Sequence, residues 1–598
     1  MTLLKDIGNY FSVFRKHLGN RLYIVFFLTG LAVATEAVGI AMLLPLLELM
    51  EAGQPDTEPT RVTLVLQSIL HGIGIGDSMA GILIFIAAAF ALKGMVKFGE
   101  GAYKATLAAN LLREIKGGLF GYYSNMDYRF YTGRHTGHFV NVISQQVNRL
   151  MQAFESYKKF LSEVIITVLY LVFAFIIAWE FALMAAVAGL LTLYLFTRLN
   201  AYVKKLSRRT SDEYSSLHHL LVQTLQAFPY ISATGRFDRP GNRVGSSVHR
   251  LTRYYRNQQI AQSFTQAIRE PLSVLLILFI VILQITVFEA RIAPILVSLL
   301  LIYRAMNHVF SLQISWQQTM NMAGGLEMVE QEFEEIRQYQ EQEGSREISG
   351  LKDSLQFENV SFTWPGRDEP VLEDISMEIK ARSAVALFGP SGSGKTTLIN
   401  MLTLLLPPDR GRITIDGIPH DQINKHSWRK RIGYVPQETV IFDDTIANNI
   451  SFWEGEDLRD RELRNRVEAA AERANAMEFI RGLPEGLDTR VGDRGVRLSG
   501  GQKQRISIAR ELFKEPELLI LDEATSALDS DSEKYIHESI RQLKGSLTIV
   551  LIAHRLSTIR FADQIFVLDN RRIVTSGSYE DLVNRDASFR RIAEMQQL

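Results

Sequence analysis

Six long apolar runs, at about 22–49, 79–101, 160–179, 181–199, 271–289 and 292–312, fill the first half of the chain. Most approach the ~20 residues that carry a helix across a ~30 Å hydrocarbon layer, so each predicts a transmembrane helix. The third and fourth runs meet at Trp179–Glu180 and the fifth and sixth near Glu289–Pro294, which predicts tight turns. Polar stretches of roughly 60 to 70 residues separate spans two and three, and spans four and five, without strand-like alternation. They predict helical extensions of the spans into water. Residues 320–350 are charged and polar and end in Ser349 and Gly350, the composition of a linker. From Leu351 onward short β-rich runs such as "SAVALFG", "ELLILDE" and "LTIVLIAH" alternate with helical ones. That order predicts an α/β domain with a largely parallel sheet. The expected organisation is a polytopic α-helical membrane domain over 1–319, a linker over 320–350 and an α/β domain over 351–598.

Charge orients the membrane half. Arg15, Lys16 and Arg21 precede span one, Lys104, Arg113, Lys116, Arg129 and Arg134 follow span two, and Lys204, Lys205, Arg208 and Arg209 follow span four. The loop from Glu51 to Ser78 on the other side has one basic residue, Arg61. Excess Lys and Arg mark the cytoplasmic side, which places both termini and both long extensions there. The apolar run after residue 21 is too long for the core of a cleavable signal and reads as a span. Over all 598 residues 65 basic side chains balance 65 acidic ones, which argues against a nucleic-acid partner. There are no cysteines, so disulfides and thiolate metal sites are excluded.

The chemistry is concentrated in the second half. Gly389, Pro390, Ser391, Gly392, Ser393, Gly394, Lys395, Thr396 and Thr397 follow the strand "SAVALF" and open a helix. This is the phosphate-loop pattern in its required context: backbone N–H groups and a helix N-terminus face phosphate, Lys395 reaches the outer phosphates of ATP, and Thr396 ligates Mg²⁺. "LLILDE", Leu518 to Glu523, is a buried strand ending in two acids. Alone it is an ordinary strand-to-loop transition. Beside a phosphate loop, Asp522 fits as the Mg²⁺-side carboxylate and Glu523 as the group that polarises the attacking water.

"LSGGQ", Leu498 to Gln502, lies between these two motifs and resembles the signature of ATP-binding-cassette ATPases. The other family elements follow in place: Gln437 in "YVPQ", "SALD" from Ser526 to Asp529, His554 in "IAHR", and Thr489 to Gly495, which resembles the exporter segment before the signature. Six spans followed by one cassette resemble half of an exporter of the type IV transmembrane fold. The resemblance implies that two cassettes sandwich two ATPs, each held by one phosphate loop and by Ser499, Gly500, Gly501 and Gln502 of the other copy. It implies His554 on the γ-phosphate, Gln437 at the Mg²⁺ and as the link to the membrane domain, and Trp364 stacked on adenine, where the family more often has Tyr. One cassette cannot close that sandwich, so a second copy is implied. The intact Glu523 and signature favour a homodimer in the bacterial cytoplasmic (inner) membrane. Phe130–Gly137 and Ile231–Asp238 sit where the family's coupling helices touch the cassettes.

Basic residues inside the apolar runs point to cargo. Arg304 lies about a dozen residues into span six, where a charge costs about 2.5–3.5 kcal/mol even on the lenient insertion scale. Lys93 and Lys97, four apart on one face of span two, and Arg269 at the start of span five join it. Arg269 and Lys97 can instead snorkel to the interface. Glu36 in span one can pair with one of these bases as a structural ion pair, which leaves a positive surplus suited to a phosphate or carboxylate headgroup. In the outer loop Val62, Val65, Leu66, Ile69, Leu70 and Ile73 fall on one face of an amphipathic helix, suited either to the membrane interface or to capping an outer gate. This combination is similar to the bacterial flippase for lipid-linked oligosaccharides. The similarity implies an anionic amphipathic lipid as substrate, with Lys93, Arg269 and Arg304 as its candidate contacts. A multidrug or peptide exporter of the same fold remains the alternative. A stand-alone cassette ATPase would lack the spans, and a regulatory channel would tolerate a damaged Glu523.

Overall fold

The computed structural model describes residues 2–42, 68, 71–72, 79–177, 179–287, 292–455, 460–523, 530–552, 559–586 and 589–590. The apolar face of the predicted outer-loop amphipathic helix, residues 524–529 with all of "SALD", and His554 lie outside the described residues. Some helical side chains, Arg304 among them, lie outside them as well.

The chain divides into two compact units, Met1–Met126 with Arg134–Gln340, and Asp127–Gly133 with Glu341–Leu598. The first is helical. Its elements are α1 (Thr2–Leu18), α2 (Arg21–Ala41), α3 (Met79–Ser124), then, past the crossing α4 (Tyr128–Thr132), α5 (Thr136–Asn141), a π-helical turn at Val142–Gln146, α6 (Val147–Ile177), α7 (Trp179–Leu195), α8 (Thr197–Gln226), α9 (Phe228–Ala233), α10 (Asp238–Val287) and α11 (Ile292–Gln338). Among the described residues α3, α6, α10 and α11 overlap four of the expected spans and continue beyond them on the polar side, as the polar stretches predict. Among the described residues one helix, α3, is by itself long and apolar enough to cross a membrane, and two bent pairs would make three. Short helices α4 and α9 occupy the two segments expected to couple the halves.

The long helices are held by aromatic and aliphatic side chains at helical spacing: Phe14, Leu111, Val147, Phe154, Trp316 and Val329 are all buried in one core. Where α11 meets α6 the approach is close enough that a Cβ on Gly325 would lie 2.5 Å from Cβ of Arg149. Any larger residue there forces the helices apart.

The linker expectation for 320–350 is corrected. Residues up to Gln338 are the last turns of α11. Glu, Gln and Arg are good helix formers, and Ala323, Leu326, Val329, Phe333 and Ile336 recur every three or four residues and are buried. The charged residues between them are the wet face of one amphipathic helix. The break comes at Tyr339–Gln340, ahead of the second unit.

The second unit is α/β. β1 (Ser354–Phe362), β2 (Leu372–Lys380), β4 (Arg410–Ile415) and β5 (Ile418–Pro419) form an antiparallel sheet in the order β2-β1-β4-β5. A six-stranded sheet in the order β10-β9-β3-β8-β7-β6 is built from β3 (Ala384–Phe388), β6 (Ile432–Val435), β7 (Leu518–Asp522), β8 (Thr548–Ile552), β9 (Gln564–Asp569) and β10 (Arg572–Gly577). All its pairings are parallel except β10 on β9. The central strands AVALF, LLILD and TIVLI are buried at every position, as a sheet covered on both faces requires. The alternating burial of β2 marks a strand with one wet face.

Candidate nucleotide and substrate sites

The register of the parallel sheet assembles the nucleotide site. Leu387 of β3 and Asp522 of β7 both pair with Ile552 of β8, so the ends of β3 and β7 stand about 10 Å apart, two strand spacings. β3 runs into the phosphate loop, and Lys395 opens α12 (Lys395–Leu402). Gly394 sits at φ +100°, and a Cβ there would come within 2.5 Å of the Leu372 side chain, so only glycine closes this turn. The buried Ser393 hydroxyl has no partner among the described residues. Lys395 donates to the carbonyls of Gly389 at 2.8 Å and Pro390 at 2.9 Å. Burial lowers the pKa of its ammonium, while the Glu523 and Asp522 carboxylates act in the opposite direction. One loop thus presents backbone donors, an orphaned hydroxyl and a cation to a common space beside two acids, an arrangement that fits a nucleotide triphosphate.

Glu523 is held on both sides. Its N–H donates to Ile552 O at 3.0 Å, and its carboxylate accepts from Gln437 Nε2 at 2.6 Å. Asp522 is buried at the strand end. The Tyr434 hydroxyl is its neighbour: burial first, then the Asp522 charge, push that hydroxyl above its ordinary pKa. Sequence reasoning passed over Tyr434, which in "IGYVPQ" reads as one more strand aromatic.

Trp364 stands edge-on to Phe362, ring centres 5.3 Å apart, and donates from Nε1 to Thr397 Oγ1 at 3.4 Å. It is therefore a half-buried aromatic at the flank of α12, where a base could stack. Next to it lies α4. Tyr128 is 6.5 Å from Trp364 between ring centres, and Arg129 bonds Asp409 at 3.1 Å and the Pro407 carbonyl at 3.0 Å.

The signature begins α13 (Gly500–Phe513). Ser499 accepts from the Gln502 N–H at 3.3 Å and Gln502 Oε1 accepts from the Ser499 N–H at 2.9 Å, a capping box. No hydrogen bond among the described residues joins this turn to the phosphate loop of the same chain.

In the first unit a cavity of about 480 Å³ is lined by five lysines, four glutamates and His308. Glu36 pairs with Lys93 at 2.7 Å, Glu100 with Lys104, Glu155 with Lys158 at 2.8 Å, and Glu163 with His308 at 2.7 Å. Lys97 and Lys159 line the cavity with no ion-pair partner among the described residues. Of the expected substrate contacts, Lys93 is here but held by Glu36. Arg269 donates to Asn307 Oδ1 at 2.9 Å and is not part of the lining.

Comparison with known proteins decides the family. A model described as ABC transporter matches residues 372–526, and one described as ABC transporter transmembrane region matches residues 22–282. The ATP-dependent lipid A-core flippase of Alkalilimnicola ehrlichii is 31% identical over 522 residues, 85% of this chain and 86% of the relative. The chain belongs to the ABC transporters. That of Ralstonia nicotianae is 30% identical over 86% of this chain and 88% of its own length, and the heterocyst differentiation ATP-binding protein HepA of a Nostoc species is 29% identical over 84% and 82%. Among solved structures, a bacterial Atm1-family ABC exporter with ATP bound superposes with a TM-score of 0.80 at 26% identity, covering 97% of this chain and 99% of that one. This ABC transporter therefore has the exporter fold, an N-terminal membrane domain followed by one cassette, and is an ATPase-coupled transporter of the membrane. Of the expected Mg²⁺ ligands, Asp522 is a buried carboxylate at the end of β7, Thr396 lies in the first turn of α12 and Gln437 bonds Glu523; Mg²⁺ held among them would supply charge neutralisation at the phosphates.

Proposed function

We propose that this transporter uses ATP hydrolysis to flip an anionic amphipathic lipid, in the finer reading a lipid-linked oligosaccharide, across the bacterial inner membrane. It does so as a homodimer with six spans per chain and cytoplasmic cassettes. The observation that carries the reading is the charged cavity: three glutamate–lysine pairs and the Glu163–His308 hydrogen bond engage the other ionisable groups and leave Lys97 and Lys159 over. Two uncompensated lysines in a cleft between membrane helices suit a phosphate or diphosphate headgroup, and the paired charges hold them in place at little net field. Arg304 stands one helical turn before His308, which lines the cavity, and is proposed as a further contact. The lipid A-core flippase relatives support a lipid cargo.

In the cassette, Lys395 and the loop N–H groups orient the phosphates, Trp364 stacks on the base, and Glu523 positions and polarises water, with His554 on the γ-phosphate. The test is ATP-dependent flipping of a fluorescent polyprenyl diphosphate in proteoliposomes. Glu523→Gln should stop hydrolysis and flipping together. Lys97→Ala with Lys159→Ala should slow flipping at least about tenfold, the loss of charge-assisted bonds, and reduce it more than hydrolysis. Wild-type protein that hydrolyses ATP without moving the probe, or a double-lysine variant that flips at the wild-type rate, would overturn the reading.

A further inference from the structure

A second cavity, about 700 Å³, opens between α6, α8, α10 and α11. Its residues lie just beyond the apolar runs, on the side where the spans carry their excess Lys and Arg. Glu155, Ser156 and Gln318 line both cavities, so the two are continuous. Their chemistry differs sharply. Half of the sixteen lining residues of the second cavity are carboxamides, two are tyrosines, and two, Arg149 and Glu155, are charged. Both charges are already engaged: Glu155 with Lys158, and Arg149 with Ser207 Oγ and the Asn321 carbonyl, each at 2.9 Å.

The carboxamides are arranged, not scattered. Gln145, Asn148 and Gln152 fall on one helical face, and Gln258 and Gln262 on another, at spacings of three and four. The π-helical turn at Val142–Gln146 resets the helix register where Gln145 enters the lining. Three lining groups are more than nine-tenths buried and have polar atoms without a partner among the described residues: Gln258 Nε2, Asn321 Oδ1 and Arg149 Nε. Each such atom is costly when left unsatisfied, so the cavity favours whatever supplies donors and acceptors together. Carboxamides offer both without charge, as sugar hydroxyls do, and tyrosine rings offer the flat apolar surface on which a sugar ring lies. The volume is within the roughly 300–1,000 Å³ of small-molecule sites.

We infer that this second cavity binds an uncharged, polyhydroxylated headgroup, a glycan, while Lys97 and Lys159 hold the phosphate that joins it to the lipid. The inference rests on the anionic-lipid reading above and names the other half of its headgroup.

The experiment measures Kd of the full-length transporter in detergent for two probes, a polyprenyl diphosphate and the same lipid carrying an N-acetylglucosamine disaccharide. Wild type should bind the glycosylated probe at least about tenfold more tightly, the equivalent of one or two net hydrogen bonds. Gln152→Leu and Gln262→Leu, at exposed and half-buried positions where folding is not at stake, should each cut that preference about three- to tenfold. Lys97→Ala should weaken both probes and keep the preference. Equal affinity for the two probes in wild type would overturn the glycan site and leave the lipid reading standing. Binding of neither probe would remove the lipid reading and the glycan site with it. Displacement of the glycosylated probe by a free tripeptide amide but not by the free disaccharide would assign the cavity to peptides instead.

Discussion

Glu523 is fixed by its backbone as well as its carboxylate. It sits at φ +49°, a left-handed conformation for a residue with a Cβ. Such strain, of order 1–3 kcal/mol, persists where surrounding bonds impose it. Those bonds are the N–H to Ile552 and the Gln437 amide on the carboxylate. The turn takes Glu523 off the line of β7, so that two consecutive acids serve different partners: Asp522 faces Tyr434, and Glu523 faces Gln437. Glu523→Gln should lower phosphate release at saturating ATP by about 10²–10⁴, the range for a lost general base. Gln437→Ala, which removes one bond to the carboxylate but keeps the carboxylate, should cost less. Retention of more than a third of wild-type turnover in Glu523→Gln would show that another group polarises the water. The positions of the phosphate loop after β3, of Asp522 and Glu523 at the end of β7 and of the signature at the start of α13 were legible because glycines, a buried apolar strand and a Ser-x-x-Gln cap each dictate their local structure. Tyr434 and the carboxamides of the second cavity were not. A glutamine on a helix face reads as a solvated position until three helices turn such faces toward one another, and the three-and-four spacing of Gln145, Asn148 and Gln152 and of Gln258 and Gln262 was the signal available.

At the scale of elements, the end of α11 shows where composition misleads. "EMVEQEFEEIRQ" has the polarity of a linker, yet its acids are structural. Glu332, 3% exposed at its side chain, accepts from Arg134 Nη1 and His138 Nε2 at 2.8 Å and from the Tyr123 hydroxyl at 3.2 Å. The network ties α11 to α3 and α5, whose connecting segment α4 lies in the second unit. Burial alone would raise the Glu332 pKa, but the bonds and charges of His138 and Arg134 outweigh it and the net direction is down. A carboxylate with a depressed folded-state pKa contributes stability that is present above its unfolded value, about 4.3, and lost as pH falls through the lower folded one. Glu332→Gln should therefore lower the thermal unfolding midpoint at pH 7, by the equivalent of about 1–3 kcal/mol, and the gap to wild type should narrow below roughly pH 4. A gap independent of pH between 7 and 3.5 would mean that packing, not the charge, is what Glu332 contributes.

For the whole molecule the open question is which chain completes each nucleotide site. Ser499 and Gln502 satisfy each other in a capping box, and the first N–H groups of α13, at Gly500 and Gly501, are among those a helix cannot satisfy internally. They form a donor surface with positive helix-end potential, yet no hydrogen bond among the described residues links it to the phosphate loop of its own chain. A homodimer in which each signature closes on the other copy's loop uses that surface, and mixing two broken chains tests it. Lys395→Ala destroys the loop of one chain and Ser499→Arg the signature of the other, and each variant alone should be inactive. In a mixed dimer with composite sites, both lesions fall in the same site and the second site is intact. Co-expression should then recover roughly a quarter of wild-type ATPase, since about half of randomly assembled two-fold dimers are mixed and each has one of two sites working. If each chain carried a self-contained site, every site in every dimer would hold one lesion and mixing would recover nothing. Recovery with purified mixed dimers shows the sandwich; its absence, with mixed dimers demonstrably present, removes it.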